Sequence, residues 1–162
     1  MPLEIERKFL VEGEAWRTGA DRREFYRQGY LAGSESCSVR VRVGGQQAWI
    51  GVKGRVRGAT RLEYEYEIPL DQANEILDLL CVQGRIEKYR HWVSHAGHEW
   101  EVDEFLGDNS GLVVAELELD DEREAFVRPP WVGLEITEDV RYYNSSLALL
   151  PWRAWPATGE SR

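Results

Sequence analysis

The sequence predicts a mainly β (α+β) fold with enough strands to close into a barrel around a charged lumen. Three observations lead there. Short segments that alternate charged and apolar residues run through most of the chain, the pattern of strands with two unlike faces. Turn residues separate several of these segments, and a clear helical stripe occurs once, around residues 71–84. The charges on the polar parity are sorted by sign from strand to strand rather than mixed.

Taken in order, Glu4 to Val11 reads as a strand and EGEAWRTG as a short helical turn or loop. REFYRQGYLA is a second strand. CSVRVRV and QQAWIGVKG flank Gly44-Gly45, a dipeptide suited to a two-residue hairpin because it tolerates positive φ. RLEYEYEIP is a strand closed by Pro69, and Asp71 is placed to cap a helix carrying Ala73, Ile76, Leu77 and Leu80 on one face. RIEKYRHWVS and HEWEVDEF form a hairpin around Ala96-Gly97, LVVAELEL is a further strand, and DEREAF a short helix. Residues 132–143 read as extended. The tail LALLPWRAWPATGESR begins as a helical turn and ends frayed.

With 162 residues, 43% hydrophobic and 30% charged, the chain is most simply one domain spanning 1–162, with about 145–162 the least constrained part. No apolar run reaches the length of a membrane span, and the start lacks the basic-then-apolar layout of a signal peptide. Cys37 and Cys81 are far apart and lack metal spacing, so both are expected reduced in a cytoplasmic setting. A net charge of −9 disfavours a general nucleic-acid binder but allows a small anionic ligand, because local charge placement can oppose the net field.

The opening EIERK sets Glu4, Glu6 and Lys8 on one parity, and the pattern returns at Arg40/Arg42, Glu63/Glu65, Lys88/Arg90 and Glu116/Glu118, with Lys53 and Asp103 besides. Strand by strand, a solvated outer face would explain this. Two features favour an inward face. Like charges two residues apart repel unless something sits between them, and a barrel of eight or so strands can enclose one small ligand. Its apolar parity, Val39, Val41 and Val43 for example, would then face outward onto helices such as 71–84. Charges so enclosed are costly unless paired or ligated. Divalent metals satisfy carboxylates, and phosphate oxygens satisfy guanidinium and ammonium groups.

These residues resemble the CYTH superfamily, the triphosphate tunnel metalloenzymes. The signature is Glu-x-Glu-x-Lys at Glu4, Glu6 and Lys8, followed in order by SVRVRV, GVKG, RLEYEYEIP, IEKYRH, WEVDEF, AELEL and GLEITEDVRYYN. The resemblance implies an eight-stranded antiparallel barrel forming a charged tunnel, with a few helices outside, that acts on a triphosphate with Mg²⁺ or Mn²⁺, two ions during catalysis. It implies that Lys8, Arg40, Arg42, Lys53, Lys88 and Arg90 bind phosphate, with Arg61 on the same parity. It assigns Glu4, Glu6, Glu63, Glu65, Asp103, Glu116 and Glu118 to the acidic positions, some of which bind metal. Tyr30 matches a tyrosine beside the catalytic lysines, here Lys8 and Lys88. The partner expected is a small-molecule triphosphate, with no nucleic acid and no membrane; a homodimer is left open.

The lead expectation is a metal-dependent inorganic triphosphatase cleaving the terminal phosphoanhydride of tripolyphosphate. The alternatives are a class IV-type adenylyl cyclase, a thiamine or nucleoside triphosphatase, and a non-catalytic polyphosphate-binding module. His91, His95 and His98 read as a solvated hairpin tip rather than a metal site, Ser145-Ser146 as helix caps, and the seven tryptophans as exterior or tail packing.

Overall fold

Every strand of the chain runs antiparallel to its neighbours, and the last bond in the ring is made by its first residues. The computed structural model describes residues 1–156. Its strands are β1 (Leu3–Val11), β2 (Ala20–Gly33), β3 (Cys37–Gly44), β4 (Gln47–Gly54), β5 (Thr60–Ile68), β6 (Arg85–His95), β7 (His98–Phe105), β8 (Val113–Glu118) and β9 (Val132–Glu135). The order β5-β4-β3-β2-β6-β7-β8-β1 closes when Leu3–Ile5 of β1 pair with Thr60–Leu62 of β5. Eight strands thus form a barrel without a free edge. β9 is an extra strand, paired with β1 at Phe9 and Val11 beyond the stretch that β5 occupies.

The apolar parity faces out, as expected. Val41 is fully buried with Ala48, Ala73, Leu77 and Cys81 under α1 (Leu70–Leu79). Gly29 lets that helix approach: a Cβ there would stand 2.7 Å from Cys81 Cβ. On the opposite flank Phe9, Val102, Ala115 and Leu117 pack outward against Trp16, Trp100 and Trp131. The inward parity changes character along its length. Ile86, Phe105 and Val114 continue the parities of Lys88, Asp103 and Glu116, and they join Tyr142, Leu147 and Trp155 in an apolar plug. That plug includes α2 (Asn144–Leu149) and the turn Trp152–Ala154, so the described part of the tail seals one region of the barrel. The expected frayed end lies outside the described residues.

Several local expectations are corrected. The β3–β4 turn is Gly45-Gln46, one residue later than read; Gly45 takes φ 59°, while Gly44 serves another need. The Tyr26 ring lies across Gly44, where any Cβ would meet it at 2.1 Å. Helix α1 starts at Leu70 after Pro69, so Asp71 sits in its first turn and caps nothing with its side chain. DEREAF is a turn, not a helix: Asp121 Oδ1 accepts from Arg123 N and Glu124 Oε1 from Asp120 N, side-chain bonds that compete with helical ones. Residues 132–143 are extended only over Val132–Glu135 and end in a 3-10 turn at Val140–Tyr142. Ser145 and Ser146 fall inside α2 rather than capping it. Trp92 shares the inward parity of Lys88 and Arg90, its ring 6.3 Å from that of Tyr26, so it is not an exterior tryptophan. The expected hairpin at Ala96-Gly97 is present, both residues at positive φ. Cys37 and Cys81 are free. No helix among the described residues is long and apolar enough to cross a membrane.

Candidate active site

The inward charges of seven barrel strands meet in one cavity of about 150 Å³, to which β2 adds the neutral Tyr30. Seven carboxylates and seven cations line it, because a period-two strand keeps residues i and i+2 on one face and closure turns those faces toward each other. Every candidate named from sequence stands there except Asp103, which lies behind the lining, fully buried. Glu67, on the same parity of β5, is exposed and outside the cavity.

The deepest layer is a dense network of shared ion pairs. Asp103 accepts from Lys88 Nζ at 2.7 Å, and from Arg90 Nε and Nη2 at 2.8 and 2.9 Å. Arg90 also reaches Glu116 at 3.1 Å and pairs with Glu101. Burial alone would push the Asp103 carboxyl up, but Arg90 and Lys88 outweigh it and hold it below the usual range. Lys88 moves the other way. Burial lowers its ammonium to about 7, because Asp103 is already shared with Arg90, and Arg90 and Arg42 add repulsion. Burial and the neighbouring Arg40 and Arg90 likewise lower Arg42 to about 10.

The other cations are paired more loosely. Lys53 Nζ lies 3.1 Å from Glu4 and 3.4 Å from Glu63, and Arg61 Nε donates to Glu4 at 3.0 Å. Against the effect of burial, these cations bring Glu4 down to about 2. Lys8 stands 3.3 Å from Glu116 and 3.7 Å from Glu6, with its Nζ 5.4 Å from the centre of the Tyr143 ring. Arg40 reaches Glu65 at 3.3 Å. Glu6 is short of cations: burial, then Glu116 and Glu4, push its carboxyl up to about 8. Glu118 is also raised, by burial and by Glu4 and Glu63.

Besides Ser38 and Ser145, which also line the cavity, four residues here were not among the sequence candidates. Glu101 and Tyr143 line the cavity; Gln28 and Asn144 connect its deep groups. Glu101 was readable from its parity with Asp103. Tyr143 precedes α2 and Asn144 opens it, where no strand period announces an inward face. The solvated-tip reading is corrected for His91, which is buried beside the Trp16 ring and meets Glu104 at 3.3 Å, while His98 near the turn meets Glu124 at 2.7 Å.

Comparison with known proteins decides the lineage. The CYTH domain model matches residues 2–148. The chain belongs to the CYTH family. It is 50% identical over 153 residues to an inorganic triphosphatase of Acetivibrio thermocellus, covering 94% of this chain and 97% of the relative. It is 39% identical over 150 residues to an inorganic triphosphatase of Nitrosomonas europaea, covering 90% and 97%. Among solved structures it resembles the inorganic triphosphatase NE1496, with TM-score 0.66 and 35% identity over 92% of this chain and 96% of that one. As a CYTH protein it carries the family's triphosphatase barrel, with the inward charges sequence reading expected.

Among the described residues, no three carboxylate, histidine or cysteine groups stand together as a formed metal site. The donor chemistry nevertheless suits a hard divalent cation. Glu6 sits among like charges with too little positive charge to ionise at neutral pH, and its neighbours Glu4 and Glu116 offer further oxygens.

Proposed function

We propose that this protein is a metal-dependent phosphohydrolase that cleaves the terminal phosphoanhydride of inorganic tripolyphosphate. The observation that carries the reading is the cavity wall: all nineteen lining residues are charged, amide, hydroxyl or tyrosine groups. At about 150 Å³ the space falls well below the roughly 300–1,000 Å³ of pockets that enclose drug-sized organic ligands. A compact polyanion suits it, and a nucleoside finds neither room nor an apolar wall. The shared ancestry with two inorganic triphosphatases supports the same choice.

In this reading an arriving triphosphate takes over Lys8, Arg40, Lys53 and Arg61, which now hold carboxylates at 3.0–3.7 Å. Guanidinium and ammonium groups bind phosphate oxygens as readily as carboxylates. The carboxylates of Glu4, Glu6, Glu63, Glu65, Glu116 and Glu118, so released, would hold Mg²⁺ or Mn²⁺. When bound, the metal neutralises phosphoryl charge and lowers the pKa of a water. Asp103 has both oxygens committed to Lys88 and Arg90 and is better placed to orient those cations than to take a metal. Lys88, whose ammonium burial lowers to about 7, and Tyr30, both on the lining, are the groups this reading assigns to proton exchange. The free cysteines are consistent with a cytoplasmic setting.

The test is phosphate release from tripolyphosphate, ATP and thiamine triphosphate with Mg²⁺ or Mn²⁺, beside a cyclic AMP assay. Tripolyphosphate should be cleaved fastest, with no cyclic AMP formed. Cyclic AMP produced at a rate comparable with hydrolysis would transfer the protein to the cyclase reading.

A further inference from the structure

Gln28 is wholly buried in a barrel otherwise furnished with charges. Its oxygen accepts from Arg42 Nε at 3.0 Å, and its nitrogen donates to Tyr30 Oη at 3.3 Å and to Asn144 Oδ1 at 3.1 Å. The orientation is forced, because a guanidinium has only donors and so must face the amide oxygen. The Gln28 NH₂ therefore faces Tyr30, whose oxygen becomes an acceptor and whose own hydrogen must point elsewhere. Asn144 is fixed by the same logic. Its Oδ1 receives Gln28 Nε2 and, at 3.0 Å, Lys88 Nζ, which turns its NH₂ away from both. Tyr30 and Asn144 both line the cavity.

We propose that Gln28 is a positioning residue that aims Tyr30 O–H and Asn144 NH₂ into the cavity as two neutral donors, and that Asn144 thereby binds a phosphate oxygen of the substrate. The role rests on the tripolyphosphatase reading. It differs from that of the cations in one respect. Lys53 and Arg40 must leave a carboxylate before they can serve the substrate, whereas a neutral donor forms no ion pair with the wall and is ready beforehand. Donors set in advance, in a site shielded from water, are the ones that cost no reorganisation when charge arrives. A bulge in the β2–β3 pairing between Tyr30 and Ala32 lies at this point, where a strand re-aims a side chain.

The first experiment measures kcat and KM for tripolyphosphate with magnesium in Gln28→Glu. A carboxylate held ionised by Arg42 can only accept, so it draws the Tyr30 hydrogen back from the cavity. We expect kcat at least tenfold lower, with the melting temperature within a few degrees of wild type. In a Tyr30→Phe background the same substitution should change kcat less than threefold, since the Tyr30 hydrogen is gone and the turned Asn144 amide, a binding group, is read in KM. An undiminished tenfold loss in that background would overturn the role assigned to Gln28, as would an unchanged kcat in the single variant. The second experiment needs no turnover: tripolyphosphate titrated calorimetrically in a chelator. Asn144→Ala should weaken binding at least fivefold, and wild-type affinity would remove Asn144 from the binding set. Wild-type protein that releases no phosphate from tripolyphosphate would sink the function instead, and the calorimetric comparison would still decide Asn144.

Discussion

Around Lys88 and Asp103 the charges are tightly paired and sealed, whereas along the rim Glu63 and Glu65 are held by single looser pairs and, with Glu118, stay open to water. The deep pair is 1% and 0% exposed in its side chains, and every oxygen of Asp103 has a cation. The rim carboxylates of Glu63 and Glu65 keep 23% and 35% of their side-chain surface, and Glu118 is exposed. A buried network is rigid because leaving any member unpaired is costly. A hydrated rim loses little when its ion pairs break, so it can exchange partners. On the function proposed above, the two regions would divide the labour: the deep layer would hold cations in place for phosphate, and the rim with neighbouring Glu6 would supply carboxylates to a metal.

The largest effect should come from breaking the deep layer. Arg90→Ala strips Asp103 of two of its three bonds and leaves Glu101 and Glu116 without this partner. Breaking a buried pair in this way costs about 3–5 kcal/mol, so the melting temperature should fall by roughly 6–20 °C at about 2–4 °C per kcal/mol. A variant that melts like wild type would mean the deep layer is not rigid, and the division of labour would fail.

Glu118→Ala should do the reverse. At this exposed position the melting temperature should move by no more than about 2 °C, a surface change being worth about 0.5 kcal/mol or less. Tripolyphosphate hydrolysis at fixed magnesium should drop on the order of 100-fold, with partial recovery as magnesium is raised, since one oxygen donor is lost from the metal site. Full activity at low magnesium would place the metal elsewhere.

The same division explains what the sequence disclosed. Residues that alternate on a strand declare two unlike faces, and the charged lumen and outward Val41 became legible once Arg40-Val41-Arg42 was set beside the sign-sorted charges of the other strands. Strand closure and ninth-strand pairing depend on contacts between β1 and segments 55 and more residues away, which no local period encodes. The plug was misjudged for a related reason. Leu147 and Trp155 have no regular spacing, yet they close the barrel because Ile86, Phe105 and Val114 present an apolar floor there. Gln28 shares the inward parity of Tyr30 in the sequence, but its role and that of Asn144 are revealed only by the forced orientation of their amides.

The smallest effect separates the regions by pH. Glu6, beside the rim carboxylates, has its carboxyl raised by burial and by Glu116 and Glu4 from 4.5 to about 8. A carboxyl raised on folding favours the folded state while protonated. Its contribution is whole below about pH 4.5 and is lost as pH rises through about 8. Glu6→Gln is neutral at every pH and avoids that loss. The two proteins should melt alike near pH 4.5, and by pH 8.5 the variant should melt about 3–8 °C higher, an order-of-magnitude figure for roughly 1–2 kcal/mol of forced ionisation. Magnesium should then narrow the gap at pH 8.5, because only the wild type gains an ionised donor that binds it. The Lys88–Asp103 layer, closed to the metal, should show no such reversal: Lys88→Met should differ from wild type by the same amount with and without magnesium. Parallel melting curves for Glu6→Gln and wild type across pH would show that Glu6 already has its cations, and the rim would then be as fully matched as the layer beneath it.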